Sequence, residues 1–167
     1  MDRFDFDISF FSRAIELALE AEKQGNLPIG AVITLDGRVV AEGKNSIWAP
    51  VFNPNRHAEV EALRNVPEDL WGYSRKMTLY TTLEPCLMCT GAILLHRLNQ
   101  VVYGSSDTYG GASSIFGHMP TYFEDELAKI AWIGPAYPGE CDKLFERVMK
   151  LVEGRRNQTL NSIQEQE

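Results

Sequence analysis

Two short stretches of this chain combine residue types that perform chemistry, His57-Ala58-Glu59 and Pro85-Cys86-Leu87-Met88-Cys89. Together they offer one imidazole and two thiolates as metal ligands, and a carboxylate, Glu59, that the metal does not need. Three protein ligands leave a tetrahedral zinc ion with an open position for water, whereas structural zinc sites are usually closed by four. The pattern predicts a catalytic Zn²⁺ site in which Glu59 takes and returns the protons of a water molecule.

Other interpretations of the same residues remain open at this point. A lone Cys-x-x-Cys also occurs in redox sites and in zinc ribbons, and a zinc-stabilised binding module without turnover would need no Glu59. A structural site would need a fourth ligand, for which the remaining cysteine and histidine candidates are Cys141, His96 and His118. Cys141 lies at helical spacing from Leu144 and Val148, and we interpret it as a small buried hydrophobic residue.

The bulk composition is that of an ordinary globular domain. The chain has 167 residues, of which 44% are hydrophobic and 23% are charged, and this length supports a core without disulfides. Three cysteines, two of them in one Cys-x-x-Cys, do not make a disulfide framework. No signal peptide or membrane-spanning run is recognisable, so a cytoplasmic protein without a membrane partner is expected.

Periodicity predicts how these residues are positioned. Apolar residues three and four apart indicate helices, and short runs rich in Val, Ile or Thr between turn residues indicate strands. The predicted helices cover 8–25, 57–64, 86–97 and 139–153, and the predicted strands cover 29–35, 38–42, 77–82, 99–104 and 130–133. The helix at 86–97 is apolar on most sides and is expected to be buried. Segment 45–56, with its prolines, is expected to form a loop over the site.

Strands that alternate with helices after an initial hairpin predict the fold class. We expect an α/β protein, a three-layer α/β/α sandwich with a central mixed sheet of about five strands. Residues 1–154 are predicted to form a single domain. Residues 155–167, after Gly154, are predicted to be a polar C-terminal tail that frays. The acidic run 124–126 is interpreted as a solvated helix start.

The stretch from Thr78 to Ala92, read together with His57-Ala58-Glu59, resembles the cytidine deaminase superfamily. Within it, the stretch is similar to the branch that holds bacterial tRNA adenosine deaminases, yeast-type cytosine deaminases and bacterial guanine deaminases. The resemblance implies a cytidine deaminase-like fold, one Zn²⁺ per chain held by His57, Cys86 and Cys89, and Glu59 as the proton shuttle. It also implies a homodimer or higher homo-oligomer.

The resemblance further implies residues that contact the substrate. Asn45 is expected to contact the bound base, and the backbone amide of Ala58 is expected to face it. Asp107 follows the fourth predicted strand in a run that resembles the tRNA adenosine deaminases. Trp48 lies in the loop before His57, where packing against helices and stacking on a base are equally open interpretations.

The net charge of the chain is used to rank the candidate substrates. The net charge is −7, and residues 139–156 hold five Lys or Arg against four Asp or Glu, whereas binding of a nucleic-acid backbone depends on basic residues. We therefore expect hydrolytic deamination of a free nucleobase, nucleoside or related amino-heterocycle. The alternative is a tRNA-specific adenosine deaminase that converts the wobble adenosine to inosine, with tRNA as a possible but disfavoured partner.

Overall fold

The computed structural model describes the backbone of residues 5–164 and the side chains of residues 5–159. Within this range the strands are β1 (Gly30–Leu35), β2 (Arg38–Lys44), β3 (Thr78–Leu83), β4 (Gln100–Ser105) and β5 (Ala131–Ile133). The helices are α1 (Phe10–Lys23), α2 (Ala58–Arg64), α3 (Leu87–His96), α4 (Thr121–Leu127) and α5 (Pro138–Gln164), with 3₁₀ turns at Glu68–Lys76 and Ala112–Ile115. No helix among the described residues has the length and apolar character to cross a membrane.

The five strands form one mixed sheet in the order β2-β1-β3-β4-β5. β1 is antiparallel to both β2 and β3, and β3, β4 and β5 run parallel. The predicted hairpin is confirmed: Asp36 and Gly37 connect β1 to β2 with φ values of 50° and 73°, as a primed turn requires. In this register the ends of β3 and β4 and the start of β1 lie at one edge of the sheet.

Alternation along the strands gives the sheet two apolar faces. One face packs Val32, Tyr80 and Val102 against Phe11 of α1 and Cys141 of α5. The other face packs a second set of strand residues against α2 and α3: Ala31, Ile33, Leu79 and Val101. The predicted three-layer α/β/α sandwich is therefore confirmed, because helices cover both sides of the sheet.

Two glycines permit the close helix–sheet contacts of this sandwich. A β-carbon at Gly43 of β2 would lie 2.1 Å from the carbonyl oxygen of Ala58, which begins α2. A β-carbon at Gly104 of β4 would lie 2.3 Å from the sulfur of Cys141. Strand backbone thus touches a helix on each face, and Gly43 fixes the distance between β2 and the helix that follows His57.

The prediction that the last helix ends before Gly154 is wrong. α5 continues through Gly154 to Gln164, so the segment expected to fray begins as helix. A glycine inside an exposed helix costs only about 1 kcal/mol relative to alanine. The division into a domain of residues 1–154 and a tail of residues 155–167 stays a prediction.

Two further expectations need correction. α3 buries Cys89, Thr90, Ile93 and Leu94 but exposes Leu87 and Leu95, because only one side of it faces the sheet. The acidic run begins with Glu124 in the first turn of α4, as expected for a helix start, but it is not solvated throughout. Its Glu126 is buried and paired with Arg75 and Lys129, whose charges make burial of the carboxylate tolerable.

Candidate metal centre

The three predicted metal ligands lie at the beginnings of two helices. His57 is the residue before α2 and Cys86 is the residue before α3, both with extended backbone, while Cys89 lies in the first turn of α3. Pro85 precedes Cys86, and the carbonyl of Cys86 accepts the amide hydrogen of Thr90 at 2.9 Å to begin the helix. β3 ends at Leu83, so the sheet edge described above carries the site.

The distances between the ligand atoms fit a zinc ion. Each of the Cys86 and Cys89 sulfurs lies 3.5 Å from Nδ1 of His57, and the three ligand atoms lie within 4.8 Å of one another. Tetrahedral coordination with standard Zn–S and Zn–N lengths places sulfur and nitrogen about 3.6 Å apart. The predicted ligand set therefore comes together with the spacing that zinc requires.

No fourth His or Cys joins this cluster in the part of the chain that the structure describes. Cys141 lies on the opposite face of the sheet against Gly104, where burial raises the pKa of its thiol to about 12. His96 lies at the other end of α3, with Nδ1 2.8 Å from the carbonyl oxygen of Ala92. The cluster thus has the three-ligand form of a catalytic site rather than the four-ligand form of a structural one.

Glu59 is buried directly beside the ligands and is only 3% exposed. Its Oε1 accepts a hydrogen bond from the Thr81 hydroxyl at 3.4 Å, and its Oε2 accepts one from the Cys89 thiol at 3.4 Å. Burial raises the pKa of the Glu59 carboxyl above its usual value. The carboxylate is held in place from the sheet side by β3.

The two thiols differ although they are neighbours. Hydrogen bonds from Cys89 and then from His57 lower the pKa of Cys86 to about 4. The hydrogen bond between Cys89 and Cys86, together with burial, raises the pKa of Cys89. The hydrogen bond between His57 and Cys86 raises the pKa of His57. The cluster thus holds one thiolate readily, and a bound cation would favour the second.

Asn45 lies just past the end of β2 and is completely buried. Its Oδ1 accepts long hydrogen bonds of 3.4 Å from the amides of Leu27 and Ile47. Its side-chain nitrogen has no partner among the described residues. A buried donor without a partner is costly, so an acceptor at this nitrogen would stabilise the structure. Gly43 packs against Ala58, and Asn45 therefore lies at the same edge as the metal ligands.

Asp107 shapes the loop that follows β4. Its Oδ1 accepts the amide hydrogens of Tyr109 and Gly110 at 2.9 and 2.8 Å. Glu84, buried just before Pro85, accepts the amides of Asp107 at 3.0 Å and of Ser113 at 3.2 Å. Glu84, Asp107, Tyr109 and Ser113 line a cavity of about 330 Å³. Gly111, which also lines this cavity, pairs with the predicted ligand Cys86 through a backbone bridge.

Trp48 is half-buried and packs against the core. The guanidinium carbon of Arg155 from α5 lies 3.8 Å from the centre of its ring. Val51 and Phe52 of the same loop are exposed by 71% and 70%. The Trp48 ring thus packs against the protein, as one of its two interpretations expected. The predicted contacts of Trp48, Asn45, Ala58 and Asp107 with substrate stay predictions.

Sequence reasoning missed three residues that support this site. Thr81 anchors Glu59, Glu84 ties the loop after β4 to the start of α3, and Asn26 binds the backbone of segment 45–56. Glu84 carried a signal, since it is a charged residue between the end of a strand at Leu83 and Pro85. Thr81 and Asn26 carried none, because their partners are distant in sequence.

Comparison with protein families matches the same region. Residues 5–105 fit the family model described as the cytidine and deoxycytidylate deaminase zinc-binding region. A tRNA-specific adenosine deaminase of Haemophilus influenzae is 42% identical over 125 residues, which are 74% of this chain and 70% of that protein. The tRNA-specific adenosine deaminase of Bacillus subtilis is 37% identical over 108 residues, 64% of this chain and 66% of that protein.

Solved structures with similar folds include two deaminases. One comes from a study of A-to-I editing by tRNA:A34 deaminases and has 38% sequence identity and a TM-score of 0.60, covering 68% of this chain and 89% of its own. The other is the guanine deaminase of Bacillus subtilis, with 36% identity and a TM-score of 0.57, covering 69% of this chain and 79% of its own.

Proposed function

This chain belongs to the cytidine and deoxycytidylate deaminase family of zinc-dependent hydrolases that act on C–N bonds, and from that membership we propose that it deaminates an adenosine in tRNA. The observation that carries the proposal is the three-ligand cluster of His57, Cys86 and Cys89 beside the buried carboxylate of Glu59. A metal centre of this form and an adjacent proton carrier are what hydrolytic deamination requires.

The reaction replaces an exocyclic amino group by a carbonyl group. When bound at this cluster, zinc makes water nucleophilic near neutral pH. Glu59 accepts a proton from the attacking water and delivers it to the ring nitrogen. It then takes the remaining hydroxyl proton and delivers it to the exocyclic amino group, which leaves as ammonia as the carbonyl forms. The Thr81 hydroxyl keeps the Glu59 carboxylate oriented during both transfers. One carboxylate thus serves first as base and then as acid.

The base is held by groups next to the metal centre. The unpartnered side-chain nitrogen of Asn45 donates a hydrogen bond to an acceptor on the base, which satisfies a buried donor. The backbone amide of Ala58 faces the same base. Asp107 and its neighbours line the adjoining cavity, which receives the parts of the substrate beyond the base.

Two considerations bear on tRNA as the source of that base. Two relatives that are 42% and 37% identical are tRNA-specific adenosine deaminases, which favours tRNA over the free nucleobase that the net charge of −7 suggested. An acidic protein attracts phosphate weakly overall, so recognition depends on local contacts around the site, and binding should show a shallow dependence on salt.

A free amino-heterocycle such as guanine is the second candidate. The structure of the guanine deaminase of Bacillus subtilis favours this candidate, because it is about as similar to this chain as the structure from the study of tRNA deaminases is. The acidic net charge favours it as well. A small ligand needs no phosphate contacts and would bind independently of salt.

A substrate panel tests the two candidates directly. Purified zinc-loaded protein is incubated with tRNA transcripts that carry adenosine at the wobble position, and separately with amino-purines, amino-pyrimidines and their nucleosides. Inosine is measured in the RNA, and ammonia in every reaction. Inosine in the transcript without ammonia from the small molecules is the expected result. Ammonia from a free base with no inosine would overturn the tRNA proposal.

We also propose that the protein acts as a homodimer. The exposed side of α3 presents Leu87, Met88 and Leu95, an apolar surface beside the ligand-bearing turn. Apolar side chains grouped on one surface favour association. Light scattering should give twice the chain mass, and Leu95→Glu should reduce it toward the monomer. A monomer for the unchanged protein at micromolar concentration would contradict the proposal.

A further inference from the structure

Segment 45–56, the loop between β2 and His57, is fixed from inside the protein by one side chain. Asn26 is 1% exposed, and its Oδ1 accepts the amide hydrogens of Trp48 and Ala49 at 2.8 and 3.0 Å. Its side-chain nitrogen donates to the carbonyl oxygen of Ala49 at 3.2 Å. The loop backbone is therefore anchored at the position that carries the Trp48 ring.

The same ring is held from the outside by α5. The guanidinium carbon of Arg155 lies 3.8 Å from the centre of the Trp48 ring, which is well inside the range of a cation–π interaction, and tryptophan is the best partner for one. Arg155 lies beyond Gly154, in the helical segment that sequence analysis expected to be a tail. The C-terminal part of α5 thus has a specific contact with segment 45–56.

Hydrogen bonds connect the residues before Trp48 with both ends of the loop. Oδ1 of Asn45 accepts the amide hydrogen of Ile47, the residue before Trp48. The amide of Ser46 donates to the carbonyl oxygen of Arg56 at 2.9 Å, and Arg56 directly precedes the ligand His57. A shift of the Trp48 ring would therefore disturb the Asn45 amide while the ligand side stays anchored by α2.

We propose that Arg155 is a positioning residue for deamination, which acts by holding Trp48 so that segment 45–56 presents Asn45 to the substrate. The role of Asn45 in this proposal rests on the proposed function. The proposal adds a residue after Gly154, in the C-terminal part of α5, to those that support the site. Arg155 does not contact the reacting atoms. Its effect should appear in substrate binding and in loop dynamics rather than in metal content.

Substitutions at both partners test this coupling. Arg155→Ala should raise KM roughly two- to five-fold with little change in kcat, the range of a partly exposed cation–π contact, and it should speed hydrogen exchange in segment 45–56. Arg155→Lys should restore part of the effect because a cation remains. Arg156→Ala, which removes the exposed neighbouring cation, is the matched control and should behave as the unchanged protein. Zinc content should be equal in all variants.

A double-substitution cycle separates this role from direct contact with substrate. Trp48→Leu keeps an apolar side chain but removes the aromatic face, and in that background Arg155→Ala should have no further effect on KM or hydrogen exchange. The proposal is overturned if Arg155→Ala leaves hydrogen exchange in segment 45–56 unchanged, or if its effect on KM persists fully in the Trp48→Leu background. Hydrogen exchange needs no substrate, so it decides the coupling even if tRNA proves not to be deaminated.

Discussion

The metal centre and the surface around it are built in different ways. The centre takes its ligands and Glu59 from two short stretches of sequence at the starts of α2 and α3. The proposed recognition rim, which we define as segment 45–56, segment 106–115 and Arg155 of α5, is held by contacts between distant residues. Examples are Asn26 to Ala49 and Arg155 to Trp48.

In the proposed function, the metal centre determines the type of reaction and the rim determines the choice of substrate. The three clustered ligands and Glu59 are supplied locally and are buried or half-buried, so we expect the proposed chemistry to tolerate little change in the two motifs. The rim depends on side chains outside those motifs, such as Asn26 and Glu84. Proteins with the same centre are therefore free to differ in substrate through a few contacts of the rim.

Removal of the metal should have the largest effect. Dialysis against a strong chelator should abolish deamination, because His57, Cys86 and Cys89 would no longer hold the ion that activates water. Addition of Zn²⁺ should restore activity, which is measured together with metal content. Full activity in protein shown to be free of metal would contradict the assignment of the centre.

Glu59→Gln should reduce kcat by about 10²- to 10⁴-fold, because the amide cannot carry the proton. The zinc content should be unchanged, since Glu59 is not among the three clustered ligands. Glu61→Gln, on the same helix and paired with Arg56 and Arg64, is the matched control and should keep nearly full activity. A Glu59→Gln protein with normal turnover would instead support a binding module without catalysis.

Glu84→Gln should act on the rim and leave the centre intact. It weakens the acceptor for the amides of Asp107 and Ser113, and charged hydrogen bonds of this kind are worth about 1.5–3 kcal/mol. We expect KM to rise about tenfold with unchanged zinc content. Glu124→Gln is the control, because Glu124 likewise accepts two amides, those of Gly117 and Met119, in another loop. Equal effects of the two variants would contradict a specific role for Glu84.

The smallest effect is expected outside both regions. Glu22 and Arg147 form a partly exposed ion pair between α1 and α5, and such pairs contribute about 0–1 kcal/mol to stability. Glu22→Gln should lower the free energy of unfolding by that amount at most, measured in urea, without changing KM or kcat. A clear loss of activity would mean that the α1–α5 packing reaches the site.

The centre was predictable because its information is local. His57, Cys86 and Cys89 were identified as ligands from their spacing, and the strands and helices that carry them follow from periodicity. The end of α5 was not predictable, because Gly154 tolerates a helical backbone and Arg155 gains a partner more than 100 positions earlier in the sequence. The role of Thr81 was not predictable for the same reason, because its hydroxyl donates to Glu59, which lies on another element of the fold.

The burial of Cys141 against Gly104 has a practical consequence for handling the protein. Its thiol is 0% exposed, and its pKa of about 12 keeps it protonated at neutral pH, so it should not react with thiol reagents until the chain unfolds. Cys86 is partly accessible, in contrast. A colorimetric thiol titration of folded protein therefore reports, through Cys86, how much of the preparation lacks its ion. The buried thiols of Cys89 and Cys141 should react only after denaturant unfolds the chain.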